Sequence, residues 1–294
     1  MTAFETTIPG LSGHRFDAGR RWAASLELGF AARDGVTRMT RSRHLGPLRV
    51  QRPFYPEGRP GACHVYLLHP PGGLVSGDAL SITAGVGANA HVLLTTPAAN
   101  KLYKADSHGV AWSQKTRLGV ADGGILEWLP QETLAFDGSR GEQSTAIELE
   151  GSARCLGWEV MSLGRPASAL PFTTGRIEQR FRLTLDGRPL WLERQPLDPA
   201  HPRFVGPWGQ GGASVQATFW AVGLEDEHEA IDALREGLPV APSRYAVTVR
   251  HGVLLLRYLG QERNEAWDLC RHAWEILRPL LIDREAHTPR IWLT

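Results

Sequence analysis

Acidic side chains near the ends of strand-like segments are the residues of this chain best suited to chemistry. They fall in three segments, His69–Asp78, Leu93–Lys104 and Leu126–Gly138, where apolar runs meet tight turns. A carboxylate at such a position can accept hydrogen bonds from turn N–H groups, pair with a buried cation or bind a metal ion. Each of these acids therefore either supports the backbone or faces a site.

The lysine of the second segment and the acids of the third are candidates for an ion pair. Lys101 lies close to the apolar residues Ala99 and Leu102, so we expect its stem to be packed and its ammonium to be paired with a carboxylate. Glu127 and Glu132 lie beside Trp128 and Leu129, and buried acids need partners. These flanking patterns predict a pair between Glu132 and Lys101.

Standard catalytic and metal motifs are missing from the sequence. Gly85–Ala90 imitates part of a dinucleotide fingerprint but precedes a strand-like run, and no Walker A motif occurs. His228–Asp232 lacks the second histidine of a zinc motif, and the three cysteines are far apart with no CxxC pair. A hydrolase would need a cluster of metal ligands that the eleven scattered histidines do not supply.

Composition and charge indicate an ordinary globular protein. The net charge is +1, from 32 basic and 31 acidic residues, which gives no electrostatic reason to expect nucleic acid or a membrane surface as partner. We see no signal peptide and no apolar run of membrane-spanning length, and unpaired cysteines suit a reducing compartment. These features predict a cytoplasmic protein.

Alternating apolar and polar residues predict strands through most of the chain. Ala24, Leu26, Leu28 and Phe30 share one face, and Asp34-Gly35 follows them. Asp-Gly between alternating runs is a strong hairpin signal. It recurs at 122–123, 137–138 and 186–187, and Tyr245–Val249 with Val253–Leu259 predicts one more hairpin.

Helical patterns are confined to the C-terminal third, near 226–236 and 262–278, with Pro279 expected to end or kink the second helix. Residues 1–21 are polar and predict a loose terminus, and no linker divides residues 22–294. The fold class is therefore mainly β: one large domain of many short strands and hairpins, with a small helical layer of about two helices.

The three segments together resemble the urease accessory protein family UreD, called UreH in some organisms. The matching elements are His69–Asp78, Leu93–Tyr103 and Leu126–Gly138. Shorter matches are Leu156–Glu159, Leu163–Arg165, Leu192–Arg194 and Pro289–Trp292. The resemblance extends in order over residues 20–294.

This resemblance implies a β-rich scaffold chaperone for urease maturation and not an enzyme. Members bind apo-urease and UreF, UreF recruits the GTPase UreG, and UreE often supplies the nickel. The resemblance also implies a dimer within this hetero-complex, with nickel in transit and no stably bound cofactor. The absence of a phosphate-binding loop agrees with GTP hydrolysis by a partner.

Acids within the family motifs are candidates to line an internal polar path for nickel. The leading candidates are Asp78 and Glu193, and the weaker ones are Glu127, Glu132, Asp137 and Glu159. Spaced carboxylates and hydroxyls would hold nickel loosely at several stations, whereas a cluster of His and Cys would trap it. The alternative is that the acids hold turns or pair with the candidate support residues Lys101, Arg165 and Arg194.

Aromatic residues are candidates for the surface that contacts UreF. We expect Trp208, in the glycine-rich loop Phe204–Ala213, and Trp274, in the last helix, to be anchors, although Trp274 suits the core equally well. The ten tryptophans also leave open a β-sandwich module that binds carbohydrate or peptide. That alternative requires exposed aromatic platforms.

Overall fold

The computed structural model describes residues 19–293, so residues 1–18, most of the predicted loose terminus, lie outside the described residues. Nineteen strands and three α-helices occur in this range. The strands are β1 Trp22–Arg33, β2 Val36–Leu45, β3 Arg49–Val50, β4 Cys63–Leu68, β5 Gly73–Leu74, β6 Asp78–Val86, β7 His91–Thr95, β8 Asn100–Leu102, β9 Trp112–Val120, β10 Ile125–Leu129, β11 Thr133–Ala135, β12 Arg140–Leu149, β13 Arg154–Arg165, β14 Leu170–Pro171, β15 Arg176–Leu185, β16 Arg188–Leu197, β17 Val215–Val222, β18 Tyr245–Arg250 and β19 Val253–Gly260. The helices are α1 Pro202–Val205, α2 Glu227–Gly237 and α3 Arg263–Ile282.

The strands form two sheets. The seven-stranded sheet has the order β16-β15-β12-β9-β6-β1-β2. The main path of the twelve-stranded sheet is β18-β19-β17-β13-β10-β7-β4-β3, with β5, β8, β11 and β14 attached to its side. A mainly β fold with a small helical part is therefore confirmed.

The chain winds between the two sheets in a parallel coil. From β6 to β15 the long strands alternate: β6, β9, β12 and β15 lie parallel in the seven-stranded sheet, and β7, β10 and β13 lie parallel in the other. Antiparallel pairs close the coil at its ends, β1 with β2 and β15 with β16. Each turn of the coil therefore places one strand on either side of a shared interior.

This winding separates correct from incorrect hairpin predictions. The hairpins at Asp34-Gly35, at Asp186-Gly187 and between β18 and β19 are confirmed by antiparallel registers. The predictions at 122–123 and 137–138 are wrong, because each turn joins strands of different sheets. Gly123 and Gly138 do have positive φ, so the local turn chemistry was correct and only the strand pairing was not.

Aspartates of successive coil turns bind the backbone of a neighbouring turn. Asp122 Oδ1 accepts the Ser152 N–H at 2.7 Å, and Asp186 Oδ1 accepts the Gly151 N–H at 2.9 Å. Such bonds satisfy turn N–H groups that no strand can reach. The Asp-Gly pairs therefore hold the coil turns in register with one another.

Two apolar clusters fill the protein. One lies between the sheets and contains Phe30, Leu94, Leu126 and Trp220. The other joins the outer side of the twelve-stranded sheet to α2 and α3 and contains Trp158, Phe219 and Trp274. The strand residues of both clusters lie mostly at alternate positions, as the period-two pattern predicted, and α2 and α3 supply much of the second cluster.

The helices begin close to the predicted residues. Asp226 caps α2 by accepting the N–H groups of His228 and Glu229 at 2.8 and 3.0 Å. The prediction that Pro279 ends or kinks α3 is wrong about the end, because the helix continues to Ile282 while Leu281 and Ile282 bury apolar surface. No helix of residues 19–293 is long and apolar enough to cross a membrane.

Candidate functional site

Three neighbouring cavities with several polar lining residues lie between the sheets, here called the three linked cavities. The inner cavity has a volume of about 110 Å³ and is lined in part by Gln114, Thr145 and Glu159. A neck of about 30 Å³ shares Glu159 and Gln179 with it. A groove of about 410 Å³, here called the mouth, shares Glu193, Gln195 and Gln216 with the neck. The three spaces therefore adjoin one another in this order.

The far end of the inner cavity is bordered by two segments identified in the sequence. His69 and Gly72 come from the first segment, and residues 96–100 from the second. Gly72 has φ +76°, and a Cβ on Gly73 would lie 2.5 Å from the Lys101 carbonyl oxygen. The paired glycines therefore allow these two segments to approach closely at that end of the inner cavity.

Glu159 stands at the junction of the inner cavity and the neck. Its Oε1 accepts a hydrogen bond from Thr145 Oγ1 at 2.5 Å, across the space between β13 and β12. The residue keeps some accessible surface because it borders the cavity. Burial raises the pKa of Glu159 to about 7, since the Thr145 bond lowers it less and the nearby charge of Glu193 raises it further.

Glu193 stands at the junction of the neck and the mouth, where its two oxygens are fully engaged. Arg257 donates to both of them, with an Nη1–Oε1 distance of 2.8 Å. Trp191 Nε1 also donates to Oε2 at 3.0 Å, and Gln195 donates to Oε1. The carboxylate is thus held in one orientation by one cation and two neutral donors.

Four glutamines form a ladder across the seven-stranded sheet beside these acids. The register pairs Gln114 with Gln143, Gln143 with Gln179, and Gln179 with Gln195. Gln216, on the facing sheet, donates to Gln179 at 2.6 Å and to Gln195 at 2.7 Å. The ladder continues the polar lining from the inner cavity to the mouth.

These glutamines were not predicted from the sequence, although the strands that carry them contain a signal. In β15 the inward positions are Ile177, Gln179, Phe181 and Leu183, so one amide interrupts an apolar alternation. In β12 the inward positions begin with Gln143 and Thr145 before Ile147 and Leu149. Polar residues at inward positions of several strands would have predicted a polar interior.

Glu127 lies on the other side of the twelve-stranded sheet, in a network of buried charges. His91 Nε2 lies 2.7 Å from its Oε1, Trp274 Nε1 donates to Oε2 at 2.6 Å, and Arg278 Nε donates to Oε2 at 3.0 Å. Arg278 Nη2 also donates to Glu57 at 2.7 Å. Burial would raise the pKa of Glu127, but the His91 and Arg278 interactions outweigh it and lower this pKa to about 2.

Three further acids have structural partners. Asp78 is buried and accepts the Val75 N–H at 2.9 Å, and Asp137 accepts the N–H groups of Thr173 and Thr174, both at 2.7 Å. Glu132 is buried and lies 3.2 Å from the Arg263 guanidinium. None of these three acids lines the three linked cavities.

The candidate support residues have contacts other than those expected. The predicted pair between Glu132 and Lys101 is wrong: Lys101 is exposed, and Arg263 of α3 takes its place. Arg165 lies over the Phe136 ring at 4.8 Å. Arg194 forms a two-pronged bond with Glu178, at 2.8 Å for each prong, on the outer face of the sheet.

The two candidate partner-binding tryptophans differ in exposure. Trp208 is 97% exposed beside the mouth, whereas Trp274 is fully buried and donates to Glu127. Trp274 therefore has the core role that was the other option for it, and it has no surface to offer a partner. Trp112, Trp158 and Trp220 are buried as well.

Comparison with known proteins identifies the family of this two-sheet coil. Residues 23–293 match the model of the UreD urease accessory protein family. The chain is 70% identical to the urease accessory protein UreD of Marinobacter nauticus, with all of both chains covered. It is 66% identical to UreD of Chromohalobacter salexigens, covering 98% of this chain and 94% of that one. It is 43% identical to UreD 2 of Brucella anthropi, covering 93% and 98%.

The chain therefore belongs to the UreD urease accessory protein family.

Proposed function

We propose that this chain is a cytoplasmic scaffold for urease maturation, without catalysis of its own, and that nickel passes through its three linked cavities. The observation that carries the proposal is the shared lining: Glu159 joins the inner cavity to the neck, and Glu193 joins the neck to the mouth. Family membership supports the role in urease maturation. Nickel is the cargo here and not a resident cofactor.

The chemistry of the lining suits passage more than retention. Glu159, Glu193, Thr145 and the glutamine ladder offer oxygen ligands one or two at a time. A cavity must offer about 10–15 Å³ to hold one water molecule. The neck, at about 30 Å³, therefore admits an ion with few waters. Weak binding at successive stations lets an ion enter and still leave.

The path is tested by loading urease in cells that express this chain, the urease subunits and the accessory proteins UreE, UreF and UreG. We expect E159Q and E193Q each to lower the nickel content of purified urease by about tenfold, because each removes a charged ligand from a junction. The matched control is E178Q, since Glu178 lies on the outer face of β15. Full loading by both path variants would exclude the route.

For assembly, we propose that the loop 204–213 contacts UreF through Trp208, that UreF brings UreG, and that apo-urease and UreE join the same hetero-complex, which contains two copies of this chain. The exposure of Trp208 beside the mouth supports this arrangement. Aromatic anchors commonly cost more than 2 kcal/mol of binding when truncated, or roughly thirtyfold in affinity.

The interface is tested by co-purification of UreF with W208A. The matched control is L45A, because Leu45 is 63% exposed on the edge strand β2. We expect W208A to release UreF and L45A to retain it. Retention of UreF by W208A at wild-type affinity would remove the loop from the interface.

A further inference from the structure

The Arg257 side chain lies on the mouth side of Glu193, the acid shared by the neck and the mouth. It forms a two-pronged ion pair with Glu193, and its guanidinium carbon lies 5.7 Å from the centre of the Trp191 ring. Arg257 lines the mouth, and Glu193 lines both the mouth and the neck. The guanidinium therefore occupies the one carboxylate that lines both the neck and the mouth.

A cation at this position opposes the passage of a metal ion in two ways. It uses both oxygens of Glu193, and its positive charge repels a divalent ion that approaches them. Trp191 and Gln195 also donate hydrogen bonds to Glu193, so they too compete with a metal ion for its oxygens. With this ion pair formed, the neck has one available carboxyl, that of Glu159.

The mouth itself has a charge pattern that indicates what binds there. Its lining holds three arginines and one acid. Arg194 is paired with Glu178 on the outer face and Arg257 with Glu193, so the positive charge in excess is that of Arg203. Apolar surface adjoins these charges, since Trp208 is 97% and Leu259 43% exposed. A groove with excess positive charge and an apolar rim complements an acidic protein segment.

We infer that the mouth docks an acidic segment of a partner protein, and that a carboxylate of this segment draws Arg257 away from Glu193 and so opens the neck to nickel. The inference rests on the proposed function, because it assumes that nickel uses the neck. Exchange between carboxylates costs little here, since the Arg257 side chain is 42% exposed and such pairs are weak in water. Arg257 is thus a positioning residue. While it pairs with Glu193 the neck is closed to nickel, and when it pairs with the carboxylate of the docked segment the neck is open.

The first test measures nickel binding to the full chain by calorimetry. We expect R257M to bind nickel about five- to tenfold more tightly than the wild type, because Glu193 becomes available as a ligand. The double variant R257M/E193Q should return to wild-type affinity. R244M is the matched control, since Arg244 pairs with Glu265 in a similarly exposed setting away from the route. Unchanged or weaker binding by R257M would overturn the inference.

The second test measures docking without nickel, using a glutamate-rich peptide and its glutamine-substituted counterpart. We expect only the acidic peptide to bind, with an affinity that falls as salt is added. R257M should weaken this binding, and E193Q should strengthen it, because the loss of the internal carboxylate frees Arg257 for the peptide. Equal binding of both peptides, or weaker binding by E193Q, would contradict the exchange.

The two proposals fail in different ways. If E159Q and E193Q lower urease loading but R257M does not change nickel affinity, the path stands and the gate is wrong. If urease loads fully with both acids replaced while R257M still tightens nickel binding, the ion pair controls a metal site that lies off the delivery route. The gate as a control of delivery is then wrong together with the path.

Discussion

Two regions of this protein hold glutamates on opposite faces of one sheet, and their surroundings shift the pKa values of these glutamates in opposite directions. Glu127 faces α3 and is held by Arg278, His91 and Trp274, with its pKa lowered to about 2. Glu159 faces the interior between the sheets, accepts one bond from Thr145, and has its pKa raised to about 7. The two acids lie on adjacent parallel strands, β10 and β13.

The difference shows how a buried carboxyl can serve structure or exchange. A carboxylate with a fixed cation and several donors has no reason to accept another ligand, and it pins the elements around it. A carboxyl that borders a cavity and lacks a fixed cation can take up a proton or a passing metal ion. Glu193 lies between these cases, since its cation Arg257 is exposed enough to be exchanged.

The largest expected effect comes from removing the cation of the closed network. R278M leaves Glu127 and Glu57 buried near each other without their shared partner, so we expect a loss of about 3–5 kcal/mol in the free energy of unfolding. Urea unfolding measures this. R271M on the same helix, whose pair with Glu275 lies at the surface, should change stability by less than about 1 kcal/mol. Equal losses of stability for R278M and R271M would show that the buried network contributes no more than a surface ion pair.

The next effect concerns the dependence of stability on pH. Because burial raises the pKa of Glu159 from 4.5 to about 7, the folded protein binds a proton here that the unfolded chain releases between these values. Glu159 therefore costs no stability below about pH 4.5, and the cost grows up to about pH 7. We expect E159Q to be more stable than the wild type by up to about 3 kcal/mol at pH 8 and nearly equal to it at pH 4. A difference that does not change with pH would contradict the raised pKa.

A smaller change should sharpen the account of Glu159. T145V removes the one hydrogen bond that lowers its pKa while keeping the shape of the side chain. We expect the pKa of Glu159 to rise by about one unit, as read from the carboxyl carbon signal in a proton–carbon NMR titration. A pKa that stays at about 7 would mean that Thr145 does not donate to the acid.

The smallest effect is expected at an acid that only holds a turn. D137A removes bonds to the N–H groups of Thr173 and Thr174 at a half-buried turn, so we expect a loss of about 1 kcal/mol in the free energy of unfolding, measured by thermal unfolding. Nickel loading of urease should not change, in contrast to E159Q. Reduced loading by a folded D137A protein would place this acid among the path residues.

Much of the fold could be predicted from the sequence, because strands with one buried face alternate apolar and polar residues. The apolar face of β1, the Asp-Gly turns at 34–35 and 186–187, and the last hairpin all appear in the structure as predicted. The turns at 122–123 and 137–138 carry the same residues but join different sheets. An Asp-Gly pair specifies positive φ and a change of direction, and it does not specify which strand the next one pairs with.

The residues of the site were harder to predict from the sequence, for a related physical reason. Sequence favoured Asp78 and Glu193 equally, yet Asp78 caps a turn and Glu193 lies at the mouth. Glu159 ranked among the weaker candidates but joins two cavities, and the glutamine ladder was not considered. A polar residue at an inward position reveals its role only when its neighbours across the sheets are known.

The sequence by itself determined the family, the β-rich class and the set of acids worth testing, because motif residues, alternation and turn chemistry are local properties of the chain. The tertiary structure alone decided which acid meets which partner. The packing of the two sheets against each other brings residues of different strands into contact, as with Thr145 and Glu159 or Glu193 and Arg257. Whether a buried carboxylate keeps its charge depends on those distant neighbours, and local sequence does not specify them.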